Sequence, residues 1–187
     1  KKQKTVRFSK NFEPRAVWFT GLSGSGKTTL ANEIGKQLKS LNVPFYIIDG
    51  DNIRQTLNQD LGFSKEDRLE NNRRVAHLAK ILIDANIIPI VSTISPNNES
   101  RQYAREIIGK ENLSLVYLST PLKVCIERDP KNLYSNKNKK IKNIPGLHTN
   151  YDVPLDADIT LDTSTVSKQK ATKEILNELN ILKKMTK

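Results

Sequence analysis

The stretch AVWFTGLSGSGKTTLANEIGKQL, Ala16 to Leu38, decides how the chain folds. Ala16 to Thr20 are apolar or β-branched and read as a short buried strand. Gly21, Gly26, Lys27 and Thr28 then satisfy the spacing G-x-x-x-x-G-K-[ST]. Leu30, Ile34 and Leu38 follow at steps of four, the period of a helix with one buried face. Strand, glycine-rich turn and helix in this order make a cradle for nucleotide phosphates. The glycines let backbone N–H groups curl around phosphate oxygens, and the helix start adds the positive end of its dipole. On this reading Ser23, Gly24, Ser25, Gly26, Lys27, Thr28 and Thr29 surround the phosphates of ATP, with Lys27 bridging the terminal ones and Thr28 giving its hydroxyl to magnesium.

Outward from the cradle, further buried strands are expected at Val43 to Ile48, Ile87 to Ser92, Leu113 to Leu118 and Asp158 to Leu161. Between them, Val75, Ala79, Leu82 and Ile83 share one face of a long helix. Ser64, followed three residues later by Asp67, signals where that helix starts. Strand alternating with helix five times implies a parallel sheet covered on both faces. Right-handed crossovers then put every strand's C-terminal end, and the ligand site, on one edge. From Asp129 to Pro154 the rhythm breaks: Asn, Lys, Pro and Gly dominate over a length too great for an ordinary connection, and the segment reads as a mobile lid. Ser167 to Lys184 reads as a closing helix with a basic end. One kinase-sized domain, residues 16–187, thus follows a basic arm, residues 1–15.

The formal net charge of +11 is concentrated locally. The arm carries Lys1, Lys2, Lys4, Arg7, Lys10 and Arg15 against Glu13, and Lys131 to Asn150 holds five lysines and no acid. Aromatic residues are few and no nucleic-acid module pattern is present, so small polyanions are the expected partners rather than nucleic acid. No run of 18 apolar residues exists, which argues against a membrane span and for a cytoplasmic protein. The single cysteine, Cys125, has no disulfide partner within the chain and reads as core packing, in keeping with a reducing compartment.

The cradle alone does not name a reaction. No glycine has an aspartate three places before it, and NKNK at Asn136 ends in lysine, so the companion motifs of a regulatory GTPase are missing. The chain is short for a motor ATPase. What remains is a small kinase that passes the terminal phosphoryl group of ATP to a second ligand. Asp49 and Asp51, in IIDGD, stand where a strand runs into a turn on the cradle's edge. One carboxylate suits the waters of magnesium, and Asp51 suits the attacking hydroxyl as it loses its proton; both also suit capping of a helix starting near Asn52. Arg54, Arg68, Arg73 and Arg74 suggest an anionic acceptor, although neighbours on a helix such as Arg73 and Arg74 cannot both point at one site.

These motifs together, DGDNIR from Asp49, LNQDLGFSKEDRLENNRRVAHLAK from Leu57, ISP from Ile94 and RDPKNLY from Arg128, resemble the adenylylsulfate kinase family over nearly everything from Val17 to about Ser167. The resemblance implies a nucleoside-kinase-like three-layer α/β sandwich with a P-loop, a five-stranded parallel sheet and a lid. It implies ATP-dependent phosphorylation of the ribose 3′-hydroxyl of adenosine 5′-phosphosulfate by direct in-line transfer, with small nucleotides as ligands and a homodimer as the common assembly. The catalytic residues are expected to be Asp51, Lys27 and Asp49, with Arg128 on the ATP side. Acceptor contacts fall to Asp51, Asn52, Ile53, Arg54, Phe63, Arg68, Asn71, Ile94, Ser95, Lys131, Asn143 and Ile144. Phe63, an aromatic among charges, suits stacking on a base. Ser95 matches a position phosphorylated in some bacterial relatives, though here an anchoring hydroxyl suffices.

Two residues depart from the family pattern. Ile144, in KNIPG, stands where an aromatic ring would clamp the adenine, and the loss of base stacking costs ~1–3 kcal/mol on the alanine-substitution scale. Thr93 replaces a bulky apolar residue before ISP. They motivate one alternative, a kinase on a related anhydride with another base or a phosphoramidate; a regulatory nucleotide-binding domain of a sulfate-activating protein is a second, against which the intact Lys27, Thr28 and Asp51 argue. His77, amid Val75, Ala76 and Leu78, reads as a packing position, and His148 has no second metal ligand nearby.

Overall fold

The computed structural model describes residues 13–135 and 143–180. Its five strands are β1 (Ala16–Gly21), β2 (Phe45–Asp49), β3 (Ile88–Ser92), β4 (Leu113–Leu118) and β5 (Ile159–Leu161). They lie in the order β2-β3-β1-β4-β5, and every pairing is parallel. β1 is buried along its whole length because both faces of the sheet are covered. Its alternate residues feed two cores. Val17 and Phe19 pack with Leu30, Ile34 and Leu38 of α1 (Lys27–Ser40) and with Ile175 and Leu176 of α6 (Lys168–Glu178). Ala16 and Trp18 pack with Val75, Ala76 and Ala79 of α3 (Lys65–Asp84) and with Ala104 and Ile108 of α4 (Asn98–Ile108). The architecture is therefore a three-layer α/β sandwich. α2 (Gly50–Gln55) and α5 (Leu122–Arg128) are short helices at the edge that carries the site.

The strand order reverses at β1, which has β3 on one side and β4 on the other. In open parallel sheets the crevice for ligands forms at such a switch point, outside the C-terminal ends of the strands. Gly21, Asp49 and Ser92, the last residues of β1, β2 and β3, all stand at that edge.

The expected elements are present, and the differences have local causes. The second strand begins at Phe45 rather than Val43, because the Val43 N–H still bonds the Leu38 carbonyl at the end of α1. α2 starts at Gly50 rather than near Asn52, since its cap is Asp49. His77 is exposed, not packed; Val75, Ala76, Ala79 and Ile83 turn the other side of α3 inward. Arm residues 1–12, lid residues 136–142 and residues 181–187, which include the basic end expected for the last helix, lie outside the described residues; α6 ends at Glu178 rather than Lys184. The described part of the expected lid forms a tight turn from Asn143, bridged between Pro145 and Thr149. No helix among the described residues is long and apolar enough to cross a membrane.

The start of α3 is a capping box. Ser64 Oγ accepts from Asp67 N at 3.0 Å, and the Asp67 carboxylate accepts from Ser64 N at 3.4 Å. Ser64→Ala is expected to lower the unfolding free energy by about 1 kcal/mol, read from the midpoint shift in urea with the slope unchanged.

Candidate active site

A cavity of about 710 Å³ opens at the C-terminal edge of the sheet. One half is the cradle. Gly24 takes φ 80° and its missing Cβ would stand 2.6 Å from the Cys125 carbonyl, so only glycine lets the turn lie against α5. Gly26, the N-cap of α1, takes φ 99°. Other groups pin the loop from outside. Thr163 Oγ1 donates to the Ser25 carbonyl at 2.9 Å and Thr120 Oγ1 reaches it at 3.3 Å. Arg128 spans from the Gly24 carbonyl (3.3 Å) to Thr163 Oγ1 (2.7 Å) and the Thr163 carbonyl (3.0 Å). Tyr134 donates its hydroxyl proton to the Ser23 carbonyl at 3.0 Å.

Lys27 is buried and folds back on its own loop, its Nζ donating to the carbonyls of Gly21 (2.9 Å) and Leu22 (2.7 Å). Burial first, and the charge of Lys131 second, push its pKa down to about 7. Behind it, Thr28 Oγ1 donates to Asp49 Oδ2 at 3.3 Å and lies 3.3 Å from Ser92 Oγ. The other carboxylate oxygen of Asp49 accepts from Asp51 N at 3.0 Å and Asn52 N at 3.4 Å. Asp49 is thus cap and cavity wall at once. Asp51, two residues further, is ion-paired with Lys131.

The opposite half is built by α2, α3 and the residues after β3. Arg54 and Arg68 both lie over the Phe63 ring, at 4.9 and 5.5 Å from its centre. Arg54 Nη1 donates to the Gly62 carbonyl at 2.6 Å, and Arg68 Nε to the Phe63 carbonyl at 3.1 Å. Burial lowers the pKa of both guanidiniums, and their mutual repulsion adds to this for Arg68. Asn71 is buried, its Oδ1 accepting from Asn58 Nδ2 at 3.0 Å. Ile94 and Ser95 line the wall beside it. Ser95 is 2% exposed, and its hydroxyl is fully used: it donates to Asn72 Oδ1 (2.8 Å) and accepts from Trp18 Nε1 (3.0 Å) and Thr93 Oγ1 (2.7 Å).

The structure therefore brings to one cavity Ser23, Gly24, Gly26, Lys27, Thr28, Thr29, Asp49, Asp51, Arg54, Phe63, Arg68, Asn71, Ile94, Ser95, Arg128 and Lys131. Other expected site residues stand apart from its lining. Ser25 is buried behind the cradle and Ile53 belongs to the core, while Asn52 is exposed. Asn143 meets the site only through its carbonyl, which accepts from Arg68 Nη2 at 2.8 Å. Ile144 is 4% exposed and its carbonyl closes the turn to His148. Arg73 and Arg74 both turn to Glu70, and Arg74 also to Asp60, so neither serves the cavity. Ser92, Asn72, Thr163 and Lys168 line it without having been singled out from the sequence. Ser92 was findable, being the last residue of an expected strand on the ligand edge; nothing in the local sequence marks Thr163 or Lys168.

A phosphate cradle at the switch point of a parallel sheet, facing a second cationic half-site, defines a P-loop phosphotransferase. The sequence profile of adenylylsulphate kinase matches residues 13–162. An adenylyl-sulfate kinase of Clostridium acetobutylicum is 44% identical over 164 residues, which are 87% of this chain and 82% of that protein. One of Pseudomonas aeruginosa is 42% identical over 171 residues, 91% of this chain and 87% of that one. The Mycobacterium tuberculosis APS kinase CysC, solved in complex with AMPPNP and APS, superposes with a TM-score of 0.85 at 37% identity, covering 90% of this chain and 99% of that one. The chain belongs to the adenylylsulphate kinase family.

The depressed pKa of Lys27 has a signed consequence. Between about pH 7 and the ordinary lysine value of 10.5 the unfolded chain holds a proton that the folded, ligand-free chain has released. Stability therefore rises with pH across that window. Relative to Lys27→Met, which carries no such penalty, the parent is expected to gain stability as pH rises through it, measured by urea unfolding at several pH values. Binding of a non-hydrolysable ATP analogue near pH 8 (roughly mid-window) should take up a proton, seen as a dependence of the calorimetric heat on buffer ionisation enthalpy.

Proposed function

We propose that this chain phosphorylates the ribose 3′-hydroxyl of adenosine 5′-phosphosulfate with ATP, giving 3′-phosphoadenosine 5′-phosphosulfate. The observation that carries the reading is a single cavity in which the cradle and the Arg54–Phe63–Arg68 cluster face each other across Asp51 and Lys131. The cradle's backbone and Lys27 hold the donor's phosphates, and Arg128 and Thr163 flank them. Planar guanidiniums at Arg54 and Arg68 suit the phosphosulfate oxygens, and Phe63, 42% exposed, offers ring surface to the base. Asp51 then stands between the halves to accept the proton of the attacking hydroxyl, once Lys131 turns from it to the phosphates.

Thr28, Asp49 and Ser92 present hydroxyl and carboxylate oxygens at the end of the cradle, a donor set that fits magnesium with its waters. Magnesium held there would neutralise the donor's phosphates. Direct in-line transfer is the economical route, because the Ser95 hydroxyl has its proton and both lone pairs engaged in bonds to Asn72, Trp18 and Thr93. A homodimer and a cytoplasmic setting complete the reading; buried Cys125, whose thiol pKa is raised by burial, fits a reducing compartment.

Thr93, a polar residue in the acceptor wall, is the specific reason to test other acceptors. Turnover on adenylylsulfate should exceed that on the cytidine and phosphoramidate analogues, and a clear preference for an analogue overturns the assignment. ADP release that depends on acceptor also excludes a purely regulatory domain. Asp51→Asn is expected to bind ATP normally and lose about 10²–10⁴ in kcat, while Lys27→Ala damages both binding and turnover; normal turnover in the first variant removes Asp51 from its role.

A further inference from the structure

Arg101, on α4, is 3% exposed and does not line the cavity. Its guanidinium is a brace behind the acceptor wall. Nη1 donates to the Ser95 carbonyl at 2.7 Å, and Nη2 donates to the Asp152 carbonyl at 2.5 Å and to Asn98 Oδ1. The same guanidinium lies 5.7 Å over the Tyr151 ring, which stacks on Tyr117 at 5.9 Å. Tyr151 reaches the wall by a second route. Its hydroxyl is 2.7 Å from Thr20 Oγ1, and Thr20 has a single proton, which goes to the Ile94 carbonyl at 2.7 Å. Tyr151 must therefore be the donor in its bond to Thr20. The loop is closed by Asp152 N, which donates to the Pro96 carbonyl at 2.8 Å.

Three consecutive carbonyls, those of Ile94, Ser95 and Pro96, are thus held from behind, while the residues themselves line the cavity in front. The need for such bracing is visible at Ser95. Its φ of 43° lies in the left-handed region, which side-chain-bearing residues rarely adopt and which persists only where the surroundings over-determine it.

We propose that Arg101 and Tyr151 are positioning residues for the acceptor half of the site, fixing the Ile94–Pro96 wall and making its shape depend on the docking of Tyr151 and Asp152. The proposal rests on the reading that this half receives the acceptor nucleotide. Neither residue touches the reacting groups; they act through the backbone that does. The donor half is held mainly by Thr120, Thr163, Arg128 and Tyr134, with one longer backbone bond, Gly21 N to the Ile94 carbonyl at 3.4 Å, joining it to the wall. Loss of the brace should therefore be felt mainly on the acceptor side of the reaction.

Two variants and two readouts test this. Tyr151→Phe keeps the ring between Arg101 and Tyr117 and removes only the hydroxyl, and Arg101→Lys keeps a cation but loses the fork. Each is expected to raise KM for adenylylsulfate about fivefold or more, the size a lost buried hydrogen bond carries, and to leave KM for ATP within about twofold. The second readout needs no turnover. Trp18 is the chain's single tryptophan, and its indole N–H donates to Ser95 Oγ at 3.0 Å, so its emission reports on the wall directly. Both variants should shift that emission with an unchanged far-UV circular dichroism spectrum. Unchanged KM values, KM values raised in the same proportion, or Trp18 emission identical to the parent's would each overturn the proposal. Should the parent fail to turn over adenylylsulfate, the functional reading falls, and the Trp18 comparison still decides this one. If Arg101→Lys does not fold, Tyr151→Phe alone decides it.

Discussion

The site depends on how closely the loop from Gly21 to Gly26 lies against its neighbours. A Cβ at Gly21 would stand 2.8 Å from the Leu118 carbonyl, and one at Gly24 still nearer to that of Cys125. The loop is therefore pressed onto the end of β4 and onto α5, with no side chain to hold it away. That closeness fixes the loop's carbonyls where Lys27 can reach them, while the Gly21 and Ser25 N–H groups bond the Ile94 and Leu22 carbonyls. Everything else at the donor end is attached to this loop: Thr120, Thr163, Arg128 and Tyr134 bond its backbone, and Thr28 stands in the first turn of the helix that leaves it.

The central strand joins the two halves. Gly21 ends β1 in the cradle, Thr20 holds the Ile94 carbonyl, and Trp18 holds the Ser95 side chain. Three residues of one strand thus supply the turn at the donor end and the anchors of the wall at the acceptor end. The relative placement of the halves is consequently set by the stiffest part of the molecule, a fully buried strand paired on both sides. A reaction that needs two ligands in line benefits from this, because positional error between the groups is what an effective-concentration advantage cannot survive.

The fold was legible because local signals agreed with one another. β1 reads as a continuous apolar run since both its faces are covered, and Leu30, Ile34 and Leu38 point to one side since α1 packs there. The capping box at Ser64 and Asp67 was visible for the same reason: both partners lie within one turn. The cradle was legible because its chemistry is carried by consecutive residues. The remainder of the site depended on contacts across the chain. Glu70, three and four residues before Arg73 and Arg74, is a local helix-face partner for both, but nothing nearby says that Asp60 will also take Arg74 or that Arg54 and Arg68 will gather on Phe63. His77 was misplaced by its apolar neighbours in sequence, because the helical period, not adjacency, decides which side faces in. The roles of Arg101, Tyr151 and Thr163 appear only when segments more than thirty residues apart meet, as with Arg128 and Thr163.

In the structure each of the main cations of the cavity has a protein companion: Lys27 its own loop carbonyls, Lys131 the Asp51 carboxylate, Arg54 and Arg68 an aromatic ring and backbone oxygens. An arriving polyanion does not meet bare charge. It displaces existing partners, so the net gain is the difference between two satisfied arrangements and is smaller than the count of cations suggests. The companions given up are not waste. If Asp51 is the proton acceptor proposed above, its carboxylate is released only after an anion has claimed Lys131, so that occupancy of the cavity would itself arm the base.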